Sequence, residues 1–331
     1  MSSFLAAFRG RVLLSRAYGV EARRWMSVRP EEVASTSTAR RRKVTIQYLN
    51  QLRKAGTPIT MVTAYDYPTG RACETHGVDI TLVGDSLAQV CLGYDSTTRL
   101  TLDEMIHHCR AVARGSKSPF LVADMPFGSY HVNTDEAVRN AIRMVREGGV
   151  EGVKIEASFE GVEIIRKLTS IGIPVMAHVG LMPQRHTFFS GYRVQGRTAA
   201  CALEIAQGAR ALQEAGAFAI VLEAIPRLLG MYITKQLDIP TIGIGAGVHT
   251  DGQVLVWDDL MSVWGGHKAK FVRQFGDVKS AVESGLKGYT KAVRERSFPD
   301  DAESYSMPDE EWEKFLKLAQ QEGLRGAGDH S

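Results

Sequence analysis

The sequence predicts a (β/α)8 TIM barrel over residues 43–298, and three observations carry that prediction. Eight short, almost wholly apolar runs recur along the stretch, each followed by a segment of crossover size, and no glycine-rich phosphate fingerprint follows the first run. Uniformly apolar runs of this length fit strands buried on both faces, as in a parallel sheet. A doubly wound sheet is the competing arrangement. It usually opens with that fingerprint, whereas here the first run leads into Ala64-Tyr65-Asp66-Tyr67.

In order, the predicted strands are 59–63, 80–83, 120–123, 152–155, 174–177, 218–222, 240–244 and 254–256. Helical patterns fall between them at 103–114, 135–147, 161–170 and 199–215. Thr101-Leu102-Asp103-Glu104 and Thr134-Asp135-Glu136 read as helix starts, a capping hydroxyl followed by acids that suit the positive end of a helix. Residues 299–331 read as a surface extension ending in a Gly/Asp/His stub.

The first forty-odd residues have another character. Arg9, Arg11, Arg16, Arg23 and Arg24 alternate with small and apolar residues, the first acid is Glu21, and a Ser/Thr cluster precedes Arg40-Arg41-Arg42-Lys43. An Arg-rich, Ser-containing, acid-poor and amphipathic segment describes an organelle transit peptide. Residues 1–42 are therefore expected to carry the chain into the mitochondrial matrix and to lie outside the fold.

Composition narrows the function classes. Of the 331 residues, 44% are hydrophobic and 23% charged, which is the balance of a globular protein with a sizeable core. The net charge of +3 owes much to the N-terminal segment, so no nucleic-acid face is expected in the folded domain. The apolar runs are strand-sized, which predicts no membrane span. Cys73, Cys91, Cys109 and Cys201 form no CxxC pair and read as reduced thiols packed in the core.

Barrel active sites lie where strands end on the C-terminal face, so the residues there test for chemistry. Asp85 and Ser86 follow strand two, Asp124 follows strand three, Lys154 and Glu156 close strand four, His178 follows strand five and Glu223 strand six. Ionisable groups at five successive strand ends are expensive to bury without a purpose. Asp85, Asp124 and Glu156 form an oxygen-rich set suited to a hard divalent cation such as Mg2+. Lys154 shares a strand face with Glu156 and is placed to hold a substrate carboxylate or to make a structural ion pair. Glu223 ends a greasy strand, where desolvation raises a carboxyl pKa toward that of a general base. His178 reads equally as a donor to a substrate oxygen and as a satisfied core histidine. The glycines of Gly243–Gly247 suit a phosphate or a tight turn.

These residues lie within a series of segments that resembles the ketopantoate hydroxymethyltransferase family. The series is MVTAYD at 61–66, LVGDSL at 82–87, GYDST at 93–97, ADMP at 123–126, VKIE at 153–156 and HVGLMP at 178–183, then GYRVQG at 191–196, LEAIP at 222–226, IGIGAG at 242–247 and GGH at 265–267. They run in family order over roughly residues 44–295. The resemblance implies a barrel of the phosphoenolpyruvate/pyruvate-like superfamily. It further implies transfer of a hydroxymethyl group from 5,10-methylenetetrahydrofolate to 3-methyl-2-oxobutanoate, giving 2-dehydropantoate for pantothenate synthesis. Mg2+ would lie on Asp85, Asp124 and Glu156, and the 2-oxoacid would meet Ser86 and Lys154, with Asp85, Asp124 and His178 also lining its site. Glu223 would be the proton acceptor, and large homo-oligomers, commonly decamers, are implied. Ala269 stands where the family pattern suggests proline.

Two rival readings differ in class. A Mg2+-dependent carbon–carbon lyase or mutase of the isocitrate-lyase type would use similar acids, but its KKCGH-like cysteine motif is missing. A catalytically silent barrel subunit would have no use for the whole set Asp85, Asp124, Lys154, Glu156 and Glu223.

Overall fold

The computed structural model describes residues 41–266 and 268–324. Residues 1–40, which make up most of the segment expected to be a transit peptide, His267 of the GGH motif and the terminal stub lie outside the described residues. Eight parallel strands close into a barrel in sequence order, β1 to β8. They are β1 Ile59–Thr63, β2 Ile80–Val83, β3 Phe120–Asp124, β4 Gly152–Glu156, β5 Val175–Gly180, β6 Ala219–Glu223, β7 Thr241–Ile244 and β8 Gly252–Leu255. The helices are α1 Ile46–Lys54, α2 Tyr67–Thr75, α3 Leu87–Val90, α4 Leu102–Gly115, α5 Thr134–Arg143, α6 Val162–Ser170, α7 Ala199–Glu214, α8 Arg227–Gln236, α9 Trp257–Met261, α10 Val278–Arg294 and α11 Asp309–Gln321.

Strand alternation sorts the core into two layers. Leu121, Ala123, Val153, Ile155, Val175, Ala177, Ile220 and Leu222 point outward against the helices. Met61, Leu82, Val122, Met176, Val221 and Ile242 point inward and fill the barrel. Phe120 and Phe218 meet edge to face at 5.2 Å in that inner layer. Two residues further along the same inner face come Asp124, Lys154 and Glu156, His178 and Glu223, so a greasy plug gives way to a charged mouth. Register aligns them, with Asp124 beside Lys154 and Glu156 beside His178.

Local signals explain the helices. Thr101 and Glu104 form a reciprocal capping box at α4. The start of α5 is capped one residue earlier than expected, by Asn133, whose side chain accepts from the Glu136 N–H. Asn is as good a cap as Thr, and the residue with extended backbone takes the role. The last turn of this helix widens at Met144–Gly148 and ends at left-handed Gly149.

Three expectations need correction. No helix follows β7; residues 245–251 return directly to β8. Gly245 and Gly247 turn the chain with positive φ, and Gly230 of α8 lets Ala246 approach, since a Cβ there would lie 2.5 Å from the Ala246 carbonyl oxygen. Packing also does not account for every cysteine. Cys73 and Cys109 are buried, but Cys91 is exposed and Cys201 only half-buried. Finally, Arg41, expected outside the fold, holds the barrel: its guanidinium donates to the Val78 carbonyl and pairs with Asp79.

Beyond β8 the chain keeps a hold on the barrel through Val272, which is buried, and Phe271, which packs over Gly245. The segment that carries Ala269 thus seats against the barrel mouth. Neither α10 nor α11 buries a residue. Among the described residues no helix is long and apolar enough to cross a membrane.

Candidate active site

All seven residues singled out in the sequence meet at one cavity of about 190 Å³ in the mouth of the barrel. Five lie on strands. Asp124, Lys154, Glu156, His178 and Glu223 occupy inward positions at or near strand ends, and rigid neighbours in the sheet hold them. Asp85 and Ser86 stand in the turn after β2, where the Gly84–Asp85–Ser86 backbone enters α3.

Each of the three acids proposed from the sequence has one oxygen tied by a protein donor. Asp124 Oδ2 accepts from the Asp85 N–H at 2.9 Å. Asp85 Oδ2 accepts from the Gln184 side-chain amide at 2.9 Å, and Glu156 Oε2 accepts from the Gln184 N–H at 3.1 Å. The partner oxygens, Asp85 Oδ1, Asp124 Oδ1 and Glu156 Oε1, accept no hydrogen bond among the described residues. Asp124 Oδ1 makes an ion pair with Lys154 Nζ at 2.9 Å and is otherwise buried without a partner.

Electrostatics show what this arrangement lacks. Four buried or nearly buried acids, Asp85, Asp124, Glu156 and Glu223, share the field of Lys154, whose ammonium pairs with Asp124 at 2.9 Å. Burial, reinforced by Asp124 and opposed by Lys154, pushes Asp85 up to about 7. Glu156 is raised well above the usual carboxylate range by burial and by Asp85. Burial resists the charge on Lys154, but Asp124, Asp85 and Glu156 outweigh it and leave the ammonium firmly protonated. A site so over-supplied with negative charge fits a positive ion, and three open carboxylate oxygens are the ligands a hard cation takes. The acids are not already drawn together, for among the described residues no three His, Cys, Asp or Glu groups form a metal-holding cluster.

His178 is buried and neutral, its pKa lowered by burial and by Lys154. Its Nδ1 lies 3.2 Å from Lys154 Nζ, and an ammonium can only donate, so Nε2 carries the proton. That nitrogen sits 3.2 Å from Glu223 Oε2, off the angle of a full hydrogen bond. Glu223 retains 15% of its side-chain exposure, and burial raises its pKa to about 7. Gly180, at φ +97°, lets β5 close on β6 beside it, since a Cβ would lie 2.2 Å from the Glu223 carbonyl oxygen. Ala224, left-handed at φ +46°, turns the chain away immediately after.

Sequence reasoning passed over several contributors. The Trp257 N–H donates to Thr63 Oγ1, Thr63 donates to Tyr65 Oη, and Tyr65 Oη lies 2.7 Å from Ser86 Oγ. Because a backbone N–H starts the chain, Tyr65 donates onward and the Ser86 hydrogen is left for a ligand. Both Thr63 and Tyr65 belong to the MVTAYD segment, so the signal was present without a stated role. At the rim Gln89, Tyr192, Asp259 and Phe271 line the cavity, and they carry no strand-end signal.

The model of the family described as ketopantoate hydroxymethyltransferase matches residues 43–301. Named relatives agree. The 3-methyl-2-oxobutanoate hydroxymethyltransferase of Carboxydothermus hydrogenoformans is 45% identical over 273 residues, covering 82% of this chain and 99% of that protein. The enzyme of the same name from Anaeromyxobacter is 49% identical, covering 82% and 90%, and that of Emericella nidulans is 46% identical, covering 84% and 80%. Solved structures share the barrel. A phosphonopyruvate hydrolase superposes with a TM-score of 0.52 at 14% identity, covering 84% of this chain and 95% of that one. A 2,3-dimethylmalate lyase of the PEP mutase/isocitrate lyase superfamily superposes at 0.51 and 18% identity, covering 84% and 98%. At such identities these structures speak for the fold alone. The family match and the curated relatives, each spanning most of the chain, show that it belongs to the ketopantoate hydroxymethyltransferase family.

Proposed function

We propose that the barrel mouth deprotonates 3-methyl-2-oxobutanoate and joins to its C3 the one-carbon unit of 5,10-methylenetetrahydrofolate, water supplying the hydroxyl, to give 2-dehydropantoate and tetrahydrofolate. The observation that carries this reading is the set of three acids, each tied through one oxygen and open at the other, beside a carboxylate of raised pKa. Asp85, Asp124 and Glu156 would hold Mg2+. When bound, that ion supplies Lewis-acid polarisation of the 2-oxoacid oxygens and makes the neighbouring C–H more acidic.

The chain's own groups do the rest. The Lys154 ammonium and the Ser86 hydroxyl hold the substrate carboxylate, the first by charge and the second with the hydrogen that the Tyr65 chain leaves free. Glu223 takes the C3 proton; a base whose pKa lies near 7 is deprotonated often enough and still accepts a proton effectively. His178 directs its Nε2–H toward Glu223 and stays neutral, so it offers a donor without a competing charge. The isocitrate-lyase-type alternative has less support, since the named relatives are all hydroxymethyltransferases.

The arginine-rich, acid-poor composition of residues 1–40 supports delivery to the mitochondrial matrix, and family membership supports a homo-oligomer, commonly a decamer. Purified protein should form 2-dehydropantoate from the two substrates with Mg2+ and stop in excess EDTA. Full activity in EDTA contradicts the metal role, and no product under any condition contradicts the reaction. A reporter bearing residues 1–40 should enter mitochondria; one left in the cytosol removes the targeting.

A further inference from the structure

We propose that Gln184 is the residue that sets the open oxygens of the cation site, holding Asp85 and Glu156 in place, and that Tyr130 locks its side chain for the task. The inference rests on the metal reading given above. It deepens that reading by naming the residues that arrange the ligands.

The geometry leaves Gln184 no other work. It is buried in the turn Pro183–Arg185 directly after β5, at 4% exposure. Its two side-chain N–H donors go to Asp85 Oδ2 at 2.9 Å and to the Met125 carbonyl at 3.0 Å. The Met125 carbonyl can only accept, which fixes the amide with Nε2 toward it and Oε1 away. Oε1 then accepts from the Tyr130 hydroxyl at 2.7 Å. The Gln184 backbone N–H, free because it lies in the first turn of a helical segment, goes to Glu156 Oε2 at 3.1 Å. Every donor is thus spent inside the protein, and neither Gln184 nor Tyr130 lines the cavity. Gln184 therefore acts through the acids rather than on substrate.

Its effect is one of selection. Of the three ties that leave one open oxygen on each acid, Gln184 makes two, and the Asp85 N–H makes the third. Without the amide, Asp85 could rotate and present either oxygen, so its direction would have to be fixed when a cation arrives. Glutamate at this position would set a third acceptor against Asp85, asparagine would fall short of it, and methionine would keep the volume and the backbone tie to Glu156 but lose the side-chain donors. Partners that orient metal ligands in this way are typically worth about 10–100-fold in metal affinity.

The test uses the full chain, metal-free, with Mg2+ binding followed by calorimetry and steady-state kinetics in the same buffer. Gln184→Met should raise the Mg2+ dissociation constant by about 10–100-fold. The apparent KM for 3-methyl-2-oxobutanoate should rise with it, and kcat should recover at saturating Mg2+. Tyr130→Phe, which frees the amide to turn, should shift affinity in the same direction by less. Asp79→Ala, at the opposite end of the barrel, calibrates what lost stability alone does; it should leave Mg2+ affinity unchanged. A folded Gln184→Met protein with wild-type Mg2+ affinity overturns the proposal, as does a loss confined to kcat. Should Gln184→Met not fold, Tyr130→Phe decides, and wild-type affinity in that variant overturns the proposal. Wild-type protein that binds no Mg2+ would sink the metal reading and this inference together. Mg2+ binding that ignores both substitutions sinks the inference alone.

Discussion

The two ends of this barrel spend the same residue types differently. At the N-terminal end, Asp79 accepts from the Thr60 N–H and hydroxyl at 2.9 and 2.8 Å and from Arg41 at 2.8 Å. Asp251 repeats the pattern between β7 and β8, accepting from the Thr241 N–H and hydroxyl, with Arg53 at 3.7 Å. Glu151 takes the Leu121 N–H and pairs with Lys43. Each acid there has its own base and its own backbone donor. At the C-terminal end Lys154 pairs with Asp124 and reaches Asp85, Glu156 and Glu223 only through its field, and each proposed ligand keeps an oxygen that accepts no hydrogen bond. A satisfied carboxylate staples strands, whereas an unsatisfied one is costly to bury and has value only for what will bind there.

Substitution should separate the ends sharply. Asp124→Asn removes an open ligand oxygen and a charge from the mouth. The Mg2+ half-saturation should rise by more than the about 100-fold that supporting neighbours contribute. Mg2+ titration of activity checks it, and an unchanged requirement would erase the distinction between the ends. At the other end Asp79→Ala strands the Thr60 donors, and stability should fall by about 1–3 kcal/mol. Its kcat should stay at the wild-type value, as urea unfolding and a rate assay would show.

Acidity separates the ends a second way. In the metal-free protein Asp85 and Glu223 are raised from ordinary values of 3.8 and 4.5 to about 7. A carboxyl with a raised folded pKa binds more protons folded than unfolded between those values, so it stabilises below about 4 and that stability is lost as pH rises through about 7. The melting temperature of metal-free protein should therefore decline between pH 5 and 8. The upward shift caused by Mg2+ should be larger at pH 8 than at pH 5, because the cation meets more ionised ligands. Equal shifts at both pH values would contradict the charge imbalance. The smallest effect is expected from Tyr65→Phe, which removes the Thr63 and Ser86 bonds of its hydroxyl; of these the one that orients Ser86 bears on the substrate and is worth about 1 kcal/mol. The KM for the 2-oxoacid should rise about fivefold with Mg2+ affinity unaltered. An unchanged KM would detach Ser86 from the Tyr65 chain.

Much of this molecule was legible in its sequence because two strong signals coincided. Apolar runs such as Phe120–Ala123 and Phe218–Leu222 could only be strands buried on both faces, and each ended in an ionisable residue that a core would otherwise reject. Asp124 and Glu223 were conspicuous for that reason. Gln184 and Tyr130 were not, since an uncharged polar residue in a turn announces nothing until its partners are known, and those lie 54 and 99 residues away in the chain. The missing helix after β7 was hidden for a related cause. Gly243–Gly247 reads equally as a ligand loop and as a turn, and only the contact of Ala246 with Gly230 decides between them. The cap of α5 slipped by one residue because Asn133 and Thr134 are both competent caps, and backbone conformation chooses.

The central claim is that the mouth is a deprotonation site with Glu223 as its base, and exchange of the C3 proton of 3-methyl-2-oxobutanoate tests it directly. In D2O with Mg2+ and no folate, wild-type protein should replace that proton with deuterium, a change that NMR reads without interference from one-carbon transfer. Glu223→Gln keeps the shape and the ligand oxygens, so it should still bind Mg2+ and the 2-oxoacid while exchange slows by about 10²–10⁴-fold. Near-normal exchange by a folded Glu223→Gln protein would contradict the account and move the base to another group, with His178 the nearest.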